Sequence, residues 1–146
     1  MSNESKRYVF SDNAEWSKVV RCMPCVLHTI DIDIKDTKGE TYKTNLSGNE
    51  RDVLMLFILS YDMNALQYKQ TDECNVLLSC QDIAEYFNFS RSTAYRICNR
   101  LIENKLLKCT NKEERKGTSK SAYIPNVETL QKYIKDYLEK HPNFKI

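Results

Sequence analysis

Glycine is scarce: Gly39, Gly48 and Gly117 are the only three in 146 residues, and no G-x-G-x-x-G or G-x-x-x-x-G-K-[ST] can be written with them. The glycine-lined cradles that hold dinucleotides and nucleoside triphosphates are therefore absent. So are the G-x-S-x-G nucleophile elbow and the H-E-x-x-H motif. With no paired-carboxylate, triad or phosphate-loop constellation, the chain is not expected to be an enzyme, and no cofactor is expected. Long apolar runs are missing too. The longest, Val53–Leu59, falls far short of the ~20 residues of a membrane span. Met1 to Arg7 is polar, without an apolar signal core, so a cytoplasmic chain that touches no membrane is expected. Six cysteines (Cys22, Cys25, Cys74, Cys80, Cys98, Cys109) are too sparse for a disulfide scaffold, and reduced thiols fit that compartment.

Charge is nearly balanced overall at +2, but it is unevenly distributed. Residues 89–120 hold nine basic residues and three acidic ones, a segment of +6 on a remainder of −4. Segregation of this kind marks a candidate polyanion-binding face, although a merely solvated basic surface reads the same way.

Residues 1–10 read as a loose arm. Ser11 to Glu15 offers N-caps ahead of Trp16, Val19, Val20 and Met23, the spacing of a short amphipathic helix, with a stop near Pro24. From Val26 the pattern turns to period two: Val26, His28, Ile30, Ile32 and Ile34 alternate with Thr29, Asp31 and Asp33. Turn chemistry at Lys35–Gly39 and a return over Glu40–Asn45 predict a β-hairpin with one apolar face. Ser47-x-x-Glu50 is a capping box before Val53, Leu54, Phe57, Ile58 and Tyr61, a helix of about three to four turns. Ala65–Lys69 can continue or restart it, and Val76–Leu78 is a short extended run. Ser79-x-x-Asp82 caps a second helix with Ile83, Ala84 and Phe87 inward. After Asn88-Phe89, Ser90 caps a third helix to about Leu106, with Ala94, Ile97, Cys98, Leu101 and Ile102 inward. Lys108–Thr110 and Ser121–Ile124 read as opposed strands around a basic loop containing Gly117, ended by Pro125. Asn126 caps a last helix carrying Val127, Leu130, Ile134, Tyr137 and Leu138, which stops near Pro142.

The order helix, short strand, helix, tight turn, helix, basic hairpin is that of a winged helix-turn-helix. Residues 78–102, LSCQDIAEYFNFSRSTAYRICNRLI, resemble the bihelical core of winged-helix DNA-binding regulators: a capping Ser, an Ile-Ala pair, a hydrophobic residue at the turn, then Ser-Arg-x-Thr and a closing Leu. Glu103-Asn104-Lys105-Leu106-Leu107 is similar to the Glu-x-x-Gly-Leu that leads those proteins into the wing, with Asn104 and Lys105 where glycine is frequent. The resemblance covers roughly residues 46–125 and implies an α+β, mainly helical domain. An N-terminal extension of helix and hairpin (1–45) precedes it and a C-terminal helix (126–146) follows. No narrower family within this large group is indicated.

A recognition helix needs an apolar stripe inward and a hydrogen-bonding stripe toward the major groove. Arg91, Ser92, Tyr95, Arg96 and Asn99, with Arg100 at the edge, fall opposite Ala94, Ile97, Cys98 and Leu101. Arginine can bind guanine through two hydrogen bonds and asparagine adenine, so Arg91, Arg96 and Asn99 are the base-reading candidates. Ser90, Ser92 and Thr93 suit a phosphate at the helix start. Lys112, Arg115, Lys116 and Lys120 ride on the expected wing (about 108–124), placed for the DNA backbone or minor groove.

The expected function is sequence-specific double-stranded DNA binding as a transcriptional regulator, chiefly a repressor. A winged-helix replication, plasmid or phage initiation protein is one alternative; a protein-interaction winged helix that does not bind DNA is the other. A homodimer is expected, because such regulators commonly pair through helices flanking the motif. The C-terminal stripe can equally fold back on its own domain. No effector pocket is readable. Cys22-x-x-Cys25, with His28, Cys74 or Cys80, allows a zinc site or a thiol switch. A lone C-x-x-C more often means ordinary thiols, here at a helix-to-strand junction, and no metal is expected.

Overall fold

A computed structural model describes residues 13–68, 78–109 and 122–144. Among these residues, five helices and two small antiparallel sheets make an α+β arrangement around one core. In chain order these are α1 (Asn13–Thr29), β1 (Asp31–Lys35), β2 (Thr41–Asn45) and α2 (Gly48–Tyr68), then α3 (Cys80–Phe87), α4 (Arg91–Glu103), β3 (Leu107–Cys109), β4 (Tyr123–Pro125) and α5 (Val127–Lys140). Among the described residues no helix is long and apolar enough to cross a membrane.

The first helix departs from the sequence expectation. It passes through Pro24 and runs to Thr29, so Val26 and His28 are helical and the strand begins only at Asp31. Both periods share Val26 and Ile30, and Leu27 and His28 separate them. Leu27 is buried with Cys22, Met23 and Val26 on the helical stripe, whereas His28 is exposed. An interior proline costs about 3 kcal/mol. Burying Met23, Val26 and Leu27 stabilises by roughly 1.5–3 kcal/mol each, which outweighs it. The C-x-x-C therefore lies inside a helix, not at its junction with a strand. The side chains of Trp16, Val19 and Val20 lie outside the described residues.

The hairpin pairs Asp31 with Asn45 through Lys35 with Thr41. Its turn is organised by Asp36, whose Oδ1 accepts the N–H groups of Lys38 and Glu40 at 2.8 and 2.9 Å. Gly39 takes φ +84° there, the left-handed region that glycine enters without steric penalty. Ile32 drops into the core, while Asp33 faces Lys43 across the strands on the solvent side.

The expected capping box opens α2. Ser47 N–H donates to Glu50 Oε1 at 2.8 Å and Glu50 N–H to Ser47 Oγ at 3.2 Å. Val53, Leu54, Phe57 and Ile58 are buried as expected. The helix is longer than three to four turns because it continues through Ala65 to Tyr68. Of the predicted extended run, Leu78 bridges Tyr123 of β4, while Val76 and Leu77 lie outside the described residues. The strands β3 and β4 pair Leu107 with Pro125 through Cys109 with Tyr123.

The last helix folds back. Leu130 and Ile134 are buried, and α5 packs against α1. Of the two readings of the C-terminal stripe, packing within the chain is the one observed. Asn126 caps the helix, accepting from Thr129 N–H at 3.5 Å.

Candidate nucleic-acid interface

The helix α3 begins on its own capping box. Ser79 N–H donates to Asp82 Oδ2 at 2.8 Å, and Asp82 N–H to Ser79 Oγ at 3.2 Å. It ends at Asn88, whose φ of 59° turns the chain out of the helix. The N–H groups of Asn88 and Phe89 both reach the Ala84 carbonyl. A three-residue turn, Asn88 to Ser90, then leads into α4, and the rings of Phe87 and Phe89 stack across it at 5.4 Å. Asparagine tolerates this backbone better than most residues, which is why so tight a connection holds here.

Ser90 caps α4, its Oγ accepting Thr93 N–H at 3.2 Å and donating to Thr93 Oγ1 at 2.9 Å, with Ser92 Oγ at 3.2 Å. Three hydroxyls thus cluster at the helix start. The first turn of α4 carries no acidic residue, whereas those of α2, α3 and α5 carry Glu50, Asp82 and Glu128. The positive end of the α4 dipole has no carboxylate beside it in its own first turn.

The expected inward and outward faces of α4 are those observed. Ala94, Ile97, Cys98 and Leu101 are buried, while Arg91, Ser92, Tyr95, Arg96 and Asn99 are exposed on the other side. Tyr95 keeps 62% of its surface open to water, a large apolar ring that no core contact explains. Neither Arg91 nor Arg96 has an ion-pair partner among the described residues. Tyr86 on α3 is equally open, at 65%, and was missed from the sequence. Its signal was present, since inward Ile83, Ala84 and Phe87 leave position 86 on the outer face.

Arg100 stands apart from the other cations. Its Nη1 donates to Glu50 Oε2 at 2.8 Å, and that carboxylate is only 2% exposed. One buried Glu50 therefore closes the cap of α2 with one oxygen and holds α4 with the other. Nothing in the local spacing announces a pair fifty positions apart.

The C-terminus of α4 is also fixed from outside. Lys105 N–H bonds Ile102 O and Leu106 N–H bonds Leu101 O, each at 2.9 Å, around Lys105 at φ +62°. This is a Schellman closure with lysine where glycine is usual. Asn104 Oδ1 accepts Asp33 N–H at 2.8 Å, and its Nδ2 donates to Asp33 O at 3.4 Å and Arg100 O at 3.0 Å. The side-chain amide meets β1 as a neighbouring strand's peptide would. Between hairpin and helix end an open cleft of about 520 Å³ is lined by Asp33 and Glu103 together with Lys35 and Arg100. Its mixed signs give an ionic ligand nothing to match.

Lys112, Arg115, Lys116 and Lys120, with Gly117 and the body of the expected wing, lie outside the described residues; Cys74 does too. In the C-x-x-C, Cys22 is buried and Cys25 exposed. No group of three or more His, Cys, Asp or Glu side chains among the described residues is placed to hold a metal ion. The chain matches no protein-family model, no curated protein and no solved structure.

Proposed function

We propose that the chain is a winged helix-turn-helix protein that binds double-stranded DNA sequence-specifically and regulates transcription, most simply as a repressor by occlusion. One observation carries this reading. The outward face of α4 presents Arg91, Ser92, Tyr95, Arg96 and Asn99 together, with the two arginines unpaired among the described residues. An arginine left without a carboxylate on an otherwise hydrogen-bonding helix face is available to guanine O6 and N7, and Asn99 to adenine N6 and N7. Ser90, Ser92 and Thr93 at the helix start suit a phosphate. The order α3, turn, α4, then the paired β3 and β4 with Leu78 beside them, supports the winged arrangement. In this reading Arg100 positions α4 rather than reading a base, and Lys112, Arg115, Lys116 and Lys120 contact the DNA backbone or minor groove.

A homodimer is part of the proposal. Its interface must use a surface other than Leu130 and Ile134, which are already buried within the chain. A monomer by light scattering, free and on DNA, removes that part.

The test is selection of bound duplexes from a random pool, followed by anisotropy titrations of the winner across a salt series. The expectation is log–log weakening with a slope of about −0.9 for each phosphate contact. Replacing Arg96 by alanine should cost ~1–3 kcal/mol on the selected sequence and relax preference at one position. No enrichment, or an affinity indifferent to salt, refutes DNA binding.

A further inference from the structure

Three large apolar side chains stand open to water among the described residues: Tyr42 on β2, Tyr86 on α3 and Tyr95 on α4. Of these, Tyr95 shares the outward face of α4 with Arg91, Arg96 and Asn99. It comes four residues after Arg91 and four before Asn99, so about 6 Å of helix axis separates it from each. Arg96 follows it directly. Both arginines lack a carboxylate partner among the described residues, so the charge around the ring suits a polyanion. The Tyr95 hydroxyl hydrogen-bonds to no described residue, and its ring pairs with no other described ring. Nothing in the packing of α4 calls for an aromatic residue here, since Ala94, Ile97, Cys98 and Leu101 make its inward stripe.

We propose that Tyr95 reads a pyrimidine 5-methyl group, so that the duplexes this face selects carry a thymine between the base pairs read by Arg91 and by Asn99. The inference rests on α4 being the helix that enters the major groove.

The choice of base follows from what the groove presents. Guanine, adenine and cytosine show donors and acceptors there, whereas thymine adds a C5-methyl group. Arginine and asparagine suit the polar edges. The face of a tyrosine ring has no comparable donor or acceptor to return. Against a polar edge it strips water from groups that then go unpaired, which weakens binding. Against a methyl group it takes apolar surface out of water on both sides, which strengthens binding. The hydroxyl sits at the far tip of the ring and is not needed for this contact.

Spacing locates the methyl group. About 6 Å of helix on either side corresponds to roughly two base steps of 3.4 Å. The thymine should therefore lie within about two base pairs of the positions set by Arg91 and by Asn99. 5-Methylcytosine carries the same methyl group, so it should be accepted there more readily than cytosine.

The test takes the duplex won by random-pool selection and exchanges each thymine in turn for deoxyuridine, which deletes the methyl group alone. In anisotropy titrations with the full chain, one thymine for each bound α4 should show about fourfold weaker binding, the worth of one buried methyl. The other thymines should change little. Repeating the selection with Arg91→Ala and Asn99→Ala marks the two positions between which that thymine should fall. Tyr95→Ala should bind the thymine and uracil duplexes alike, whereas Tyr95→Phe should keep the fourfold difference. At the same position 5-methylcytosine should bind about fourfold more tightly than cytosine. A selected duplex in which no thymine responds overturns this inference and leaves DNA binding standing. So does a response that survives in Tyr95→Ala or vanishes in Tyr95→Phe. Failure to select any duplex refutes DNA binding itself, and this inference with it. The wild-type uracil scan alone decides should a variant fail to fold.

Discussion

Replacing Arg100 by alanine removes the cation that faces Glu50, and the consequence can be worked from the geometry. Glu50 is 2% exposed and keeps only the Ser47 N–H at 2.8 Å once Arg100 Nη1 is gone. A buried charge stripped of its partner costs about 3–5 kcal/mol in a dry interior. Arg100 is 31% exposed, so water can enter where its guanidinium lay, and about 2–3 kcal/mol is the expected loss. For a chain of this size that lowers Tm by roughly 5–10 °C, at about 2–4 °C for each kcal/mol. Glu50→Gln should cost less, about 1–2 kcal/mol, because glutamine still accepts the Ser47 N–H and closes the capping box. The double variant leaves no buried charge and should recover about 1.5–2 kcal/mol relative to the sum of the singles. Urea unfolding of all four proteins, followed by far-UV circular dichroism, closes the cycle. Additivity within 0.5 kcal/mol, in the ~0.2–1 kcal/mol range of exposed pairs, would refute the idea that Glu50 couples α2 to α4. The exposed Asp33–Lys43 pair at 3.2 Å is the internal control, and breaking it should cost under about 0.5 kcal/mol.

Other perturbations address single joints. Lys105→Gly should raise stability by about 0.5–1 kcal/mol, since φ +62° strains a lysine and not a glycine; a fall in Tm would contradict the Schellman geometry. Asn104→Ala should cost about 1–2 kcal/mol and speed hydrogen exchange at the Asp33 amide, which that side chain now protects. Unchanged exchange there would mean that the Asn104 amide does not protect β1. Alkylation of Cys80 should be half-maximal near pH 6 and flat above about pH 7, because its lowered pKa makes thiolate available above that value and removes it as pH falls through it. A rate still climbing at pH 9 would assign Cys80 an ordinary thiol.

What could be read in advance was whatever a single helix or cap specifies locally. Ser47-x-x-Glu50, Ser79-x-x-Asp82, Ser90 and Asn126 each announce a helix start through groups three residues apart, and all four caps are present. The inward stripe of α4 follows from its period alone. The first helix outruns its sequence pattern because Val26 and Ile30 satisfy both helical and strand periods, and proline is a strong local signal that packing of Met23 and Leu27 overrides. Arg100 illustrates the other limit. Its place on the helix was legible, but the carboxylate that holds it comes from a distant turn, and no pattern in residues 90–106 contains that fact.

Asn104 has a consequence for what the chain avoids. A two-stranded hairpin has two raw edges, and the outer edge of β1 offers its unpaired peptide groups to any extended segment that drifts by. The Asn104 amide fills the middle of that edge with a donor and an acceptor of its own, yet carries no backbone onward from which a third strand could grow. Strand-by-strand association is blocked at Asp33 by one side chain, anchored in the end of α4. Loss of that amide would therefore show not only as lower stability but as a concentration-dependent tendency to self-associate through β1.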